Sequence, residues 1–430
     1  MLVGSTIGSG IFRVPASVAE RLQTPGPVLL AWVLGGLIAL FGALTIAELA
    51  AALPRSGGVF AYILEAFGPL PAFLFGWSEL AVIRASALGA IATIFAEYLG
   101  YFIRLTPMQV RLLAAAAVVA VGLLNYLGVS RAAVVMNLIT IAKYGALAAL
   151  GLLAFTAGEG SWGNLSPAVA DGLNLSLMGT ALIAIMWTYD GWADLSFMGG
   201  EVKNPGRTLP MALILGTFGI LVIYFLLNLA YIYLVPLPEM AKSPLIAATA
   251  AERIPLLGRY AGAIISLVVM VSCFGTLHGS MMTGPRIFFA MADRGLFFQG
   301  IARVSPRYRS PSVAIWLATA LGVVYVLLND FQQLADKFIL GIWPFYALAV
   351  AAVFVLRRTR PELPRPYRTW GYPVVPVLFL LASVGMMVNA LWTDPVNTGV
   401  TFGIILLGLP VYFAWRAWSN RKALAADERR

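Results

Sequence analysis

Apolar runs about as long as a lipid bilayer is thick follow one another from end to end of this chain, separated by short polar turns. A run of roughly 20 such residues crosses the hydrocarbon core as a helix, which satisfies every backbone polar group within the segment. The balance of charge agrees. Of the 430 residues 60% are hydrophobic and only 11% charged, whereas a soluble domain carries about 25% charged residues. Lipid has to cover what charge does not. With short links the chain holds about twelve spans, which fall near 1–22, 27–52, 71–102, 110–128, 131–157, 176–200, 209–235, 259–291, 311–329, 337–356, 373–392 and 398–419. Pro27, Pro71, Pro311 and Pro373 stand at helix starts, where a missing N–H does no harm. Residues 1–430 thus read as one all-α polytopic membrane domain with a short tail at 420–430.

The net charge of +10 is a matter of topology. Alternating the spans gathers Arg55, Arg131, Lys203, Arg207, Arg294, Arg303, Arg307, Arg309, Arg357, Arg358, Arg360, Arg365 and Arg368 on one side, with Arg421, Lys422, Arg429 and Arg430 of the tail. The other side holds Arg21, Arg104, Arg111, Lys242, Arg253, Arg259 and Lys337. Basic loops stay in the cytoplasm, so both termini are expected there. No basic-aromatic stripe suited to nucleic acid is present. One cysteine, Cys273, and one histidine, His278, exclude a disulfide framework and a thiolate or imidazole metal cluster. No metal or other cofactor is expected. No cleavable leader is visible at the start.

Two spans carry interruptions. The first reads Gly4-Ser5-Thr6-Ile7-Gly8-Ser9-Gly10-Ile11-Phe12 with Pro15 beyond; the sixth reads Trp187-Thr188-Tyr189-Asp190-Gly191-Trp192, then Gly199-Gly200. Each glycine weakens a helix interior by about 1 kcal/mol relative to Ala, and unwound backbone at membrane depth survives only against protein or a cavity. Breaks five spans apart suit an inverted five-helix repeat with a site between them. Close-packing faces of small residues produce similar runs, and spacing alone leaves both readings open.

At these residues the chain resembles the amino acid–polyamine–organocation superfamily, and within it the L-type amino-acid transporter group. The resemblance rests on Gly8-Ser9-Gly10-Ile11-Phe12, Glu48 with Pro54-Arg55-Ser56-Gly57-Gly58, Trp77-Ser78-Glu79-Leu80 and Val82-Ile83-Arg84. Later matches are Tyr189-Asp190-Gly191-Trp192, Glu201-Val202-Lys203-Asn204-Pro205, Thr283-Gly284-Pro285-Arg286, Trp343-Pro344-Phe345-Tyr346 and Arg365-Pro366-Tyr367-Arg368. It implies a LeuT-like five-plus-five inverted repeat (1–157 and 176–356, with two further helices over 373–419), alternating access, and sodium-independent amino-acid transport, often by exchange. It also implies substrate-binding positions: carbonyls of Thr6, Ile7, Trp187, Thr188 and Asp190, amides of Ser9 and Gly10, and the Trp187 side chain as a gate.

Elementary electrostatics supports that placement. A half-helix beginning near Gly10 presents unpaired N–H groups and about half a positive charge, enough to hold a carboxylate without a basic side chain. Carbonyls ending the first half-helices suit an ammonium. Recognition of the amino-acid backbone would then be generic, with specificity set by Ser78, Ser272, Gly275 and Trp187, a modest uncharged lining that favours neutral substrates. Asp190 is the exception, since an exposed carboxylate there would attract a cationic side chain.

Lys143 lies mid-span in Ile139-Thr140-Ile141-Ala142-Lys143-Tyr144-Gly145. A lysine at that depth costs about 3 kcal/mol and marks function by default. Its ammonium is placed to reach carbonyls freed at the first break, and the resemblance implies a lysine here where sodium-coupled relatives bind sodium. Protons are a possible partner through the same amine. Structural pairing is the bland alternative. Glu79 and Arg84, five apart, do not share an α-helical face and are expected to find partners on other helices, as are Glu48 and Glu97. Arg13 is assigned to the outer vestibule, His278 and Cys273 to packing, and Tyr231, Tyr233 and Trp392 to the membrane interface.

Two departures from the family pattern stand out. Only nine residues precede Gly10, about 13 Å of helix, so an upstream segment is expected. The resemblance also implies that animal members join a heavy subunit through a cysteine after span 3; the loop at 103–109 has none, which leaves no disulfide-linked partner. A membrane-embedded transferase would need clustered acids, histidines or a nucleophile–base pair and is disfavoured. A sensor or channel on the same scaffold is the nearer rival.

Overall fold

The computed structural model describes residues 6–55, 57–128, 132–167, 174–197, 199–293, 295 and 297–427. Gly4, Ser5, Ser56, Arg131, Arg294, Arg429 and Arg430 of the sequence reading lie outside them, as do the side chains of Arg286, Arg421 and Lys422.

Within the described residues every regular element is helical. Eight helices are long and apolar enough to cross a membrane: Pro25–Ala52, Pro69–Leu99, Pro107–Tyr126, Pro205–Leu234, Pro255–Pro285, Phe331–Thr359, Val374–Thr393 and Pro395–Ala417. Helices Ala132–Ala157 and Ser312–Leu328 and the two interrupted segments complete the twelve spans. The spans are not equivalent. Residues of Pro69–Leu99 are 83% buried over their most apolar stretch, those of Val374–Thr393 only 28%, so span 3 is an inner wall and span 11 faces lipid. Span 2 packs along span 7, and span 3 against spans 8, 9 and 10.

Three short helices were not anticipated. Gly58–Phe67 precedes span 3, which starts at Pro69 after Gly68 turns the chain at φ 83°. Leu237–Met240 and Ile246–Glu252 follow span 7 and pack against its end. This corrects the placing of Tyr231 at the interface: it is fully buried because those helices extend the protein past it. Tyr233 does lie near the edge, ring to ring with Trp162 at 4.8 Å, and Trp392 is 85% exposed. Four of the basic residues converge on two acids: Arg55 and Arg360 both pair with Glu65, and Arg357 and Arg365 meet at Glu48.

Candidate substrate site at the paired helix breaks

Both anticipated breaks are present. In span 1 the helix ends at Thr6, the backbone bends through 7–9, a tight turn covers Gly10–Phe12, and a second helix runs Val14–Leu22 with Pro15 at its start. Phe12 N donates to Ser9 O at 3.2 Å, and no carbonyl of the described residues accepts from the Gly10 or Ile11 amide. Span 6 is helical over Leu175–Tyr189 and leaves the helix at Asp190, ψ 151°. Gly191 then takes φ +102°, a left-handed value that favours glycine. Short turns at Asp194–Phe197 and Gly199–Glu201 carry the chain onward.

The two breaks lean on each other reciprocally. A methyl on Gly10 would sit 2.7 Å from Thr188 Oγ1 and 2.9 Å from Thr188 Cα; one on Gly191 would sit 2.9 Å from Thr6 Oγ1 and 3.0 Å from Thr6 Cα. Tyr224 of span 7 ties them together, its single hydroxyl proton shared between Thr6 O (3.0 Å) and Thr188 O (3.1 Å). Thr6 O also accepts from Gly8 N at 2.7 Å, so both its lone pairs are used. Thr6, Ile7, Ser9, Gly10 and Thr188 are all buried, and the arrangement is a sealed one. The Thr6 and Thr188 hydroxyls have no partner among the described residues.

Tyr224 was missed by the sequence reading. It lies in an uninterrupted apolar span, 218 residues from Thr6, and nothing local distinguishes it. Trp187 turns its ring to span 10, edge-on to Phe338 at 4.9 Å and to Phe331 at 6.4 Å. The Asp190 carboxylate is half-buried and accepts from the Tyr346 hydroxyl at 2.9 Å through one oxygen. Ser78 and Ser272 are buried with hydroxyls that have no partner among the described residues, and Gly275 is buried on span 8; among those residues no hydrogen bond joins the three to the breaks. Lys143 is 4% exposed, and among the described residues its ammonium meets no acid or carbonyl; the Tyr144 ring lies 5.5 Å away.

The remaining charges depart from expectation in one respect. Glu79 and Arg84 pair directly at 3.2 Å, although five residues apart. Span 3 passes through a π-helical turn over Glu79–Ile83, and i→i+5 winding brings residues of that spacing onto one face. Arg84 also reaches Ser280 Oγ of span 8 at 2.8 Å. Glu97 does find a partner elsewhere: Arg13, just past the first break, bonds it at 2.9 Å and lies over the Phe331 ring at 5.1 Å. Glu48 accepts from Arg357 Nε and Nη2 (2.8 and 2.6 Å) and from the Thr369 amide and hydroxyl (2.7 and 2.8 Å), locking span 2 to span 10 and to the segment before span 11. His278 does more than pack, since its Nδ1 lies 3.0 Å from Asn125 Nδ2. Cys273 is buried.

Residues 1–415 match the sequence profile of the family described as amino acid permease. The chain belongs to that family. This permease is 31% identical to the serine/threonine exchanger SteT of Bacillus subtilis (strain 168), over 98% of its own length and 95% of the relative's. It is 32% identical to the human b(0,+)-type amino acid transporter 1 over 96% and 85% of the two chains. It is 30% identical to the human cystine/glutamate transporter over 98% and 84%. The permease is therefore an amino-acid transporter of LeuT-like architecture rather than an enzyme, embedded in a membrane by multiple spans.

Proposed function

We propose that this permease exchanges neutral L-amino acids across a bacterial inner membrane by alternating access without sodium, holding the substrate's α-carboxylate and α-ammonium at the two helix breaks. The observation that carries the reading is the contact of Gly10 with Thr188 and of Gly191 with Thr6, bridged by Tyr224. The Gly10 and Ile11 amides, which meet no carbonyl among the described residues, supply an anion site at a half-helix start. The Ser9 amide and the carbonyls of Ile7, Trp187 and Asp190 complete the cradle, while those of Thr6 and Thr188 become available as Tyr224 withdraws. Trp187, moving with Phe331 and Phe338, gates the outer side, and Lys143 supplies a buried, tethered cation. Ser78, Ser272 and Gly275 tune the lining.

Neutral substrates are favoured because Asp190 is already engaged by Tyr346, and the name of the Bacillus relative, a serine/threonine exchanger, points the same way. The halves 1–157 and 176–356 rock against each other about the breaks. Both termini face the cytoplasm, on the side where Arg55, Arg357, Arg360 and Arg365 gather. The permease works without a disulfide-linked subunit, since its one thiol, Cys273, is buried in span 8. Proton symport through Lys143 is the second reading within transport.

Uptake of radiolabelled serine or threonine into proteoliposomes tests this. Internal unlabelled amino acid should stimulate uptake several-fold, and an imposed pH gradient should not. Binding without flux would instead make the protein a sensor, and uptake that needs an inward proton gradient would make it a symporter.

A further inference from the structure

A cavity of about 760 Å³ opens on the flank of the protein where span 7 begins, between Gly206, Arg207, Met211 and Leu215 on one side and Pro366 and Trp370 on the other. It lies away from the helix breaks. We infer that it holds an anionic phospholipid, with the headgroup phosphate at Arg207 and an acyl chain along Met211 and Leu215.

The groove has the polarity of a lipid. Arg207, Met211 and Leu215 are spaced four apart and so share one helix face. At 1.5 Å per residue Leu215 lies about 12 Å deeper than Arg207, the distance from a headgroup phosphate into the acyl region. Met211 is 51% and Leu215 63% exposed, and Trp370 is 67% exposed, the position of an aromatic ring at the headgroup level. Arg207 is exposed and makes no hydrogen bond or ion pair among the described residues. Helix Pro205–Leu234 starts at this point without a side-chain cap, and the Gly206 amide meets no described carbonyl. The helix start therefore adds positive potential to the guanidinium.

Among the described residues no acid lines the cavity, so nothing there opposes a headgroup of net negative charge. Lys203 and Arg368 are exposed nearby in the chain, and basic groups at a membrane surface attract anionic lipid. A soluble anion would use only the upper edge and leave the apolar lower half uncovered. The occupant also has a structural consequence. Pro366 and Trp370 flank Thr369, whose amide and hydroxyl hold Glu48. A lipid seated on that segment braces the lock between spans 2 and 10.

The test is native mass spectrometry of the purified full chain with phosphatidylglycerol or phosphatidylcholine, together with thermal denaturation in each lipid. Wild type should retain phosphatidylglycerol at least fivefold better than Arg207→Gln does, with a raised denaturation temperature that the variant lacks. Trp370→Ala should lower retention as well, and both variants should denature as wild type does in phosphatidylcholine. Equal retention by Arg207→Gln, equal retention of phosphatidylcholine, or a thermal shift reproduced by inorganic phosphate alone would each overturn the assignment. If Arg207→Gln does not fold, undiminished retention by Trp370→Ala overturns it.

Discussion

Replacing Gly10 by Ala is the sharpest probe of the sealed breaks. Gly10 has no unusual backbone angle, so the new methyl adds no torsional strain. It does meet Thr188 Oγ1 at 2.7 Å and Thr188 Cα at 2.9 Å, both well inside contact distance. Half of that clash is with backbone, which a rotamer change at Thr188 cannot relieve. Overpacking of this kind costs about 1–3 kcal/mol, and if the cost falls on the sealed arrangement alone the closed population drops about 5- to 150-fold. Exchange of radiolabelled serine in proteoliposomes should fall by at least about fivefold while the protein still inserts and purifies as a monodisperse species. The pair Gly10→Ala with Thr188→Ala should recover part of the loss, because Oγ1 is gone but Cα remains. Exchange at wild-type rates in Gly10→Ala would refute the idea that these two segments touch during the transport cycle.

Removing the bridge between the breaks should act in the same direction. Tyr224→Phe strips the Thr188 carbonyl of the partner described here, a buried acceptor worth about 1–3 kcal/mol; both the denaturation temperature and exchange should fall, and unchanged values of both count against the bridge. Lys143→Ala should abolish flux or uncouple it from exchange in a protein that still purifies, and unaltered kinetics would remove the amine from the mechanism. Arg84→Met leaves the Glu79 carboxylate, 3% exposed, without its counter-ion; a loss of about 3–5 kcal/mol is expected, visible as early thermal denaturation. Adding Glu79→Gln should restore much of it, and no restoration would mean the pair is not coupled.

The breaks were legible because their cause is local. Glycines at 8, 10 and 191 weaken helix locally and Pro15 marks the start of the next one, and the chain does leave the helix at 7–9 and at 190. Span number and the clustering of basic loops were legible for a similar reason, since bilayer thickness and charge act on short stretches. What the sequence did not disclose are pairings made by the third dimension. Tyr224 looks like any aromatic in an apolar span. Arg357 reads as a loop cation, yet it neutralises Glu48 from 309 residues away. The short helices after span 7 changed the surroundings of Tyr231 because hydropathy says where a span stops but not what is stacked on its end.

The π-turn of span 3 reaches beyond the ion pair it creates. A residue surplus to the α-helical count offsets everything downstream by about 100° around the axis, one residue's share of a 3.6-residue turn. Trp77, whose indole reaches the Ile404 carbonyl of span 12, and Tyr98, whose hydroxyl reaches the Phe12 carbonyl of span 1, therefore owe their relative bearings to that one extra position. Deleting a single residue between Glu79 and Ile83 would leave a smoother rod whose two ends no longer point at their respective neighbours.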